Sequence, residues 1–277
     1  MTGTESWQAI HDQAEIWIRE AGKLLKQALR GPLDIQTKSS PDDLVTNMDK
    51  KIEQFFVENI HQHFPDHHIV SEEGFGDDLK AEDGVIWLID PIDGTMNFIH
   101  QKRHFSISIG VYENGIGRVA LIYDVIADDL YHCVKGHGAY INDTRLEELG
   151  TGTLDSAIVS VNATWLAKNR RIDPEIVRPI VRQCRGTRSY GSAAIELAYV
   201  AGGALDVYIT MRLSPWDYGA GLILVEEVGG IVTRMDGSPI DLLKQNSLLV
   251  GRKGVHEEII KQIREGIASG KFIEQLP

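Results

Sequence analysis

FSISIGVYENGIGRVALIYDVIADDLYHCV, residues 105–134, decides the fold. Phe105, Ile107, Ile109 and Val111 alternate with small or polar neighbours, the period-two pattern of a strand whose two faces differ. Apolar runs at Val119–Tyr123, Leu130–Val134 and Ala139–Asn142 follow, with turn residues between them. Connections this short join antiparallel neighbours, so the spacing predicts a meandering, largely antiparallel sheet. Ile69–Val70 and Val85–Ile89 add two short strands upstream.

Before this sheet, Trp7, Ile10, Ala14, Trp17, Ile18, Ala21, Leu24, Leu25 and Ala28 recur at three- and four-residue steps, predicting an amphipathic helix over 7–29 that Gly31-Pro32 ends. KSSPDDLVTNMD (38–49) is polar and turn-rich, and Ile52, Phe55, Phe56 and Ile60 predict a second helix stopping before Pro65. This helical pair is the expected cover for one face of the sheet.

After Gly150-Thr151-Gly152 strands and helices alternate: strands near 157–161, 186–190, 204–209, 230–233 and 247–251, helices near 173–184, 192–201, 216–228 and 255–267. Alternation of this kind predicts a smaller α/β layer with some parallel pairing. The fold class is therefore α/β in two parts, residues 1–150 and 151–277, with a soft boundary near 145–155.

The 277 residues carry 28 Lys+Arg against 40 Asp+Glu, a net charge of −12, and are 43% hydrophobic. Such a chain builds a sizeable core, and its negative field opposes binding to nucleic acid or anionic lipid, with no basic run to reverse it. The N-terminus has neither a basic flank nor a continuous apolar run, and no long uncharged apolar stretch follows, so the expectation is a soluble, cytoplasmic protein with no membrane partner. Cys133 and Cys184 are too few for a disulfide framework and read as free thiols.

Chemistry concentrates in VIWLIDPIDGTMNFIH, residues 85–100. An apolar strand delivers Asp90, Pro91 constrains the chain, Asp93 follows, and Gly94-Thr95 opens a run of backbone donors. Read alone, Asp90 and Asp93 could equally form an Asx turn and a helix cap. Three more acidic segments bear on that choice: Glu72 and Glu73 in VSEEG, Asp217 in SPWDYGAG, and Asp43 and Asp49 in DDLVTNMD. Each has a bland counterpart: solvent-facing acids before a turn, a dipole partner in a first helical turn, a cap. Together they set carboxylates at element termini in a chain lacking a nucleophile elbow, a GxGxxG and a P-loop, and that set suits metal-assisted attack.

WLIDPIDGTMNF (87–98), EEG (72–74), DLVT with Asp49 (43–49) and WDYGAGLILVEEVGG (216–230) resemble, in order and over nearly the whole chain, the signatures of the inositol monophosphatase family, magnesium-dependent and lithium-sensitive sugar-phosphate phosphatases. The resemblance implies a layered α-β-α-β-α architecture, with a larger antiparallel sheet and a smaller mixed one, and a homodimer. It implies two or three Mg²⁺ ions: a first site on Glu72, Asp90 and the Ile92 carbonyl, a second on Asp90, Asp93 and Asp217, and a weaker third on Glu72. It gives Thr95 and Asp49 the role of positioning or deprotonating water, sets phosphate against the Gly94 and Thr95 amides, and places Gly191 and Ala193 of the GSAA segment against polyol hydroxyls. Lys38 matches a lysine of a mobile loop over the site. Without the resemblance, GSAA is a small-residue helix packed on a sheet and Lys38 a solvated side chain.

The implied activity is hydrolysis of a small phosphate monoester, first myo-inositol 1-phosphate. The chain departs from animal inositol-specific members at Thr210, where they carry a glutamate, and Arg212 stands nearby. A cation there would favour fructose 1,6-bisphosphate, adenosine 3′,5′-bisphosphate or NADP, whereas an interface or surface ion pair is the alternative for Arg212. A reading of another class is a partner-binding regulatory protein that keeps the fold. The histidines of HQHFPDHH (61–68) read as solvated or capping side chains.

Overall fold

The computed structural model describes residues 6–37, 44–77 and 79–274. Lys38 and Asp43 lie outside the described residues. Helix α1 (Trp7–Ala28) is followed by β1 (Ile35–Thr37), β2 (Leu44–Thr46) and α2 (Asn47–His63). Then come β3 (His68–Ser71), β4 (Val85–Asp93), α3 (Thr95–His100), β5 (Ser106–Glu113), β6 (Ile116–Asp124), β7 (Asp129–Val134), β8 (Ala139–Ile141) and β9 (Thr144–Arg145). The remainder is β10 (Ile158–Val161), α4 (Pro174–Gln183), β11 (Gly186–Arg188), α5 (Ala193–Ala201), β12 (Val207–Leu213), α6 (Pro215–Glu227), β13 (Ile231–Thr233), β14 (Asn246–Gly251) and α7 (Lys253–Ala268).

Strands β3 to β9 form a seven-stranded sheet in sequence order, antiparallel except for the β3–β4 pair. The five-stranded sheet has the order β11-β10-β12-β14-β13: β10 runs parallel to β11 and β12, and β14 antiparallel to β12 and β13. Both sheets, and the strand classes expected for them, follow the alternation in the sequence.

Three apolar cores set the layering. Ile10, Ala14, Trp17, Ile18 and Leu25 of α1, with Ile52, Phe56 and Ile60 of α2, bury against one face of the large sheet. The side chains of α5 and α6 fill the space between the sheets, and α4 and α7 cover the far face of the small one. The order is α-β-α-β-α. Helix α6 comes so close to β5 that a Cβ on Gly110 would stand 2.8 Å from the Ala220 nitrogen, which is why glycine occupies that strand position.

Several elements differ from the sequence expectation. Helix α2 begins at Asn47, before its apolar stripe, because Thr46 and Asp49 form a capping box: the Thr46 amide donates to Asp49 Oδ2 at 2.7 Å, and the Thr46 hydroxyl accepts from the Met48 amide at 3.0 Å. The segment before it pairs Ile35–Thr37 with Leu44–Thr46 as an antiparallel ribbon. Strand β4 extends past Ile89 to Asp93, and its pairing with β5 shifts register between Asp90 and Asp93. In the HQHFPDHH run, His67 is no solvated side chain: its Nδ1 accepts from the Trp87 indole at 3.0 Å, and its ring stacks on Phe64. Both cysteines are unpaired, and Cys133 is buried. Among the described residues no helix is long and apolar enough to cross a membrane.

Candidate active site

The bulge that ends β4 turns its acids toward the neighbouring layer. Asp90 is 2% exposed, and its Oδ1 accepts from the Ile92 amide at 3.0 Å. Asp93 reaches across to the start of α5, accepting from the Ala194 amide at 2.7 Å, the Ala193 amide at 3.2 Å and the Ser192 hydroxyl. The first turn of α6 brings Asp217, held by a capping box in which its Oδ2 accepts from the Ser214 amide at 2.7 Å, and it lies close enough to Asp90 to raise that carboxyl's proton affinity. Glu72, in the turn after β3, lies close enough to raise the proton affinity of Asp49, Asp90 and Asp217. Residues from β4, from two first helical turns and from the β3 turn thus converge.

Asp49 joins them from α2. Its Oδ2 is fixed by Thr46, and its Oδ1 lies 3.2 Å from the Thr95 hydroxyl, which is also 3.1 Å from the Ile92 carbonyl. Gly94, at φ +93°, makes the turn between β4 and α3, and a Cβ there would stand 3.1 Å from the Gly191 carbonyl. The Gly94 and Gly191 turns therefore abut. Asn97 fastens them, donating to the carbonyls of Tyr190 at 2.7 Å and His104 at 2.8 Å.

Packing carboxylates together out of water costs free energy unless protons or cations intervene. Burial, then Glu72, Asp93, Asp217 and Asp49, push the Asp90 carboxyl well above the ordinary range. Burial and then Asp93 do the same to Asp217. Asp93 is pushed up to about 6 by burial, against the opposing hydrogen bonds from Ser192, Ala194 and Ala193. Asp49 is also pushed up to about 6, by burial against the Thr46 hydrogen bonds, with Glu72 and Glu73 adding repulsion. Among the described residues no lysine, arginine or histidine forms an ion pair with Asp49, Asp90, Asp93 or Asp217.

Hard oxygen donors in this number, short of positive charge, fit a divalent cation such as Mg²⁺. Among the described residues no three acidic, histidine or cysteine side chains stand ready around one point. The reason is visible in the hydrogen bonds, since Asp93 is turned onto α5 and Asp90 onto the Ile92 amide.

Beside the carboxylates lies a cavity of about 330 Å³ whose lining includes Asp93, Thr164, Trp165, Gly191, Thr210 and Asp217. No basic side chain lines it among the described residues. Gly191 and Ala193 both border it, although the Ala193 amide already donates to Asp93. Thr210 is buried against it, whereas Arg212 is exposed and donates from Nε to Gln245 Oε1 at 2.7 Å. A register shift in β12 between Thr210 and Leu213 separates the two.

Sequence reasoning missed two buried glutamates. Glu53 of α2 accepts from the Ser71 hydroxyl and from the amides of Glu73 and Phe75. Glu196 of α5 accepts from the Tyr190 amide at 2.6 Å and the Gly191 amide at 3.3 Å. Glu53 follows Ile52 at the edge of the apolar stripe, the one signal that could have placed it inside.

The inositol monophosphatase family model matches residues 7–268. The chain belongs to the inositol monophosphatase family. It is 52% identical over 257 residues to the inositol-1-monophosphatase of Bacillus subtilis strain 168, covering 93% of this chain and 97% of that protein. Its fold matches a crystal structure of SaIMPase-II with inositol monophosphate bound at a TM-score of 0.85 and 38% identity, over 94% of this chain and 96% of the other. It also matches an IMPase/NADP phosphatase complexed with NADP and Ca²⁺ at a TM-score of 0.86 and 28% identity, over 93% and 96% of the two chains. The chain is an enzyme of the phosphomonoesterase class.

Proposed function

We propose that this enzyme hydrolyses myo-inositol 1-phosphate to inositol and phosphate with Mg²⁺. The observation that carries the reading is the convergence of Glu72, Asp90, Asp93 and Asp217 beside a polar cavity that no basic side chain lines among the described residues. Glu72, Asp90, Asp93, Asp217 and the Ile92 carbonyl would hold two or three ions, with Asp90 central among these donors. Bound there, the cations supply Lewis-acid activation of water and neutralise the phosphate. In the proposed division at residues 145–155, the first part provides Glu72, Asp90 and Asp93 and the second provides Asp217.

The remaining steps belong to the chain's own groups. The Thr95 hydroxyl orients the attacking water while donating to Asp49, whose position the Thr46 bonds secure. The Gly94 and Thr95 amides face the phosphate. The leaving alcohol occupies the cavity against Gly191, Ala193 and Thr210.

A neutral polyol fits that cavity better than a second phosphate does. Fructose 1,6-bisphosphate and adenosine 3′,5′-bisphosphate would bring a further anion beside Asp93, Glu196 and Asp217, where no basic side chain lines the cavity among the described residues. NADP, whose pyrophosphate would meet the same acidic lining, is the second reading, supported by the likeness to an NADP phosphatase and by the Trp165 ring on the cavity wall. The protein is proposed to work as a cytoplasmic homodimer, in keeping with the family resemblance and its two unpaired thiols. The test is phosphate release from these four substrates with Mg²⁺ and with chelator: inositol 1-phosphate should give the highest kcat/KM and chelator should abolish it. Preference for a bisphosphate, or undiminished turnover in chelator, contradicts the reading.

A further inference from the structure

We propose that Glu53 is a positioning residue: its carboxylate fixes the turn that carries Glu72, and so sets the affinity of the site for divalent cations. The proposal rests on the reading of the carboxylate cluster as a cation site.

Glu53 is fully buried on α2, one helical turn after Asp49 and on the same face. Its Oε1 accepts from the Ser71 hydroxyl at 2.7 Å and from the Phe75 amide at 2.9 Å, and its Oε2 from the Glu73 amide at 2.6 Å. Ser71 and Glu73 flank Glu72, so both ends of that residue are tied to one buried group. The turn itself leaves the sheet after Ser71 and reaches Gly74 at φ +88°, so the ladder with β4 does not hold it. A buried carboxylate is costly, and a neutral apolar residue at this helix position would satisfy none of the three donors.

Helix α2 thereby spans the site. Asp49 at its first turn meets Thr95, and Glu53 one turn later holds the Glu72 segment. Any displacement of Glu72 relative to Asp90 changes the spacing of two oxygen donors, to which a small hard cation is sensitive.

Glu53→Gln is nearly isosteric but cannot reproduce the three contacts. One amide oxygen can serve Ser71 and Phe75, while the NH₂ group then faces the Glu73 N–H, donor against donor. Ser71→Ala is the milder lesion, removing a single donor and leaving both backbone anchors.

The experiment is calorimetric titration of the full chain with Mn²⁺ and Mg²⁺, without substrate, on wild type, Glu53→Gln, Ser71→Ala and the core control Ile52→Val, each with its melting temperature recorded. Glu53→Gln should weaken cation binding roughly tenfold and Ser71→Ala by a smaller factor, second-sphere changes of this kind costing about 10–100-fold. Ile52→Val should lower the melting temperature and leave the affinity alone. Wild-type affinity in both Glu53→Gln and Ser71→Ala, or an equal loss in Ile52→Val, overturns the positioning role while leaving the cation site standing. Failure of the wild type to bind either ion overturns both.

Discussion

Asp93, the last residue of β4, accepts a 2.7 Å hydrogen bond from the backbone amide of Ala194 in the first turn of α5. One carboxylate thus caps a helix of the middle layer and stands in the acidic cluster, joining the two halves of the site by a direct bond. A negative group at a helix N-terminus is stabilising, and here it offsets part of the repulsion among the acids.

This double duty separates two substitutions. Asp93→Ala strands the Ser192, Ala193 and Ala194 donors and should cost about 1–2 kcal/mol after relief of repulsion, lowering the melting temperature by roughly 2–4 °C per kcal/mol. Asp93→Asn keeps an accepting oxygen and should melt closer to wild type, yet both variants should lose turnover alike. Equal melting temperatures for the two would show that the cap bond contributes nothing to stability.

The pH dependence of the cation effect has a definite sign. Asp49 and Asp93 titrate at about 6 in the folded protein, above the ordinary carboxylate value, so the metal-free native state binds more protons than the unfolded chain between about 4 and 6. Their contribution to stability is present below the unfolded value and lost as pH rises through 6. Cations displace those protons, so the rise in melting temperature on adding Mg²⁺ should be larger at pH 7.5 than at pH 5. Burial pushes His256 down to about 4, and this contribution, of opposite sign, cancels in the difference because it is present with and without Mg²⁺. A Mg²⁺ shift that is equal at the two pH values contradicts the account.

Thr95→Ala removes the hydroxyl 3.2 Å from Asp49 and should lower kcat by about 10²-fold or more while Mg²⁺ affinity holds, since an orienting group acts chiefly in the transition state. Steady-state kinetics at saturating Mg²⁺ check this. Unchanged kcat would remove Thr95 from the mechanism.

Arg212→Ala should change kcat/KM for inositol 1-phosphate and NADP in parallel, because the guanidinium is engaged with Gln245 and lines no part of the cavity. A loss confined to NADP, measured as the ratio of kcat/KM values, would bring Arg212 into substrate recognition.

The layers were legible because each rests on a periodic apolar face: the three- and four-residue steps of α1, the alternation of β5, the repeating strands and helices after residue 152. The acids themselves stood out at element ends. What stayed hidden has local causes. Strand β1 is exposed at all three positions and carries no apolar pattern. The start of α2 depends on a capping box inside a polar run. Glu53 stands at the edge of an apolar stripe and Glu196 within an apolar run, and neither pattern says which backbone amides the folded chain brings to them. The separation of Thr210 from Arg212 depends on a register shift that ideal strand alternation does not contain.

The most direct test of the central claim, that the Glu72, Asp90, Asp93 and Asp217 cluster is a divalent-cation site, is a calorimetric Mg²⁺ titration of wild type beside Asp90→Asn, with circular dichroism confirming that both are folded. Asp90 touches every other member of the cluster electrostatically, so the account predicts saturable Mg²⁺ binding by wild type and its collapse in the variant, together with turnover. Mg²⁺ binding by folded Asp90→Asn at wild-type affinity would contradict it.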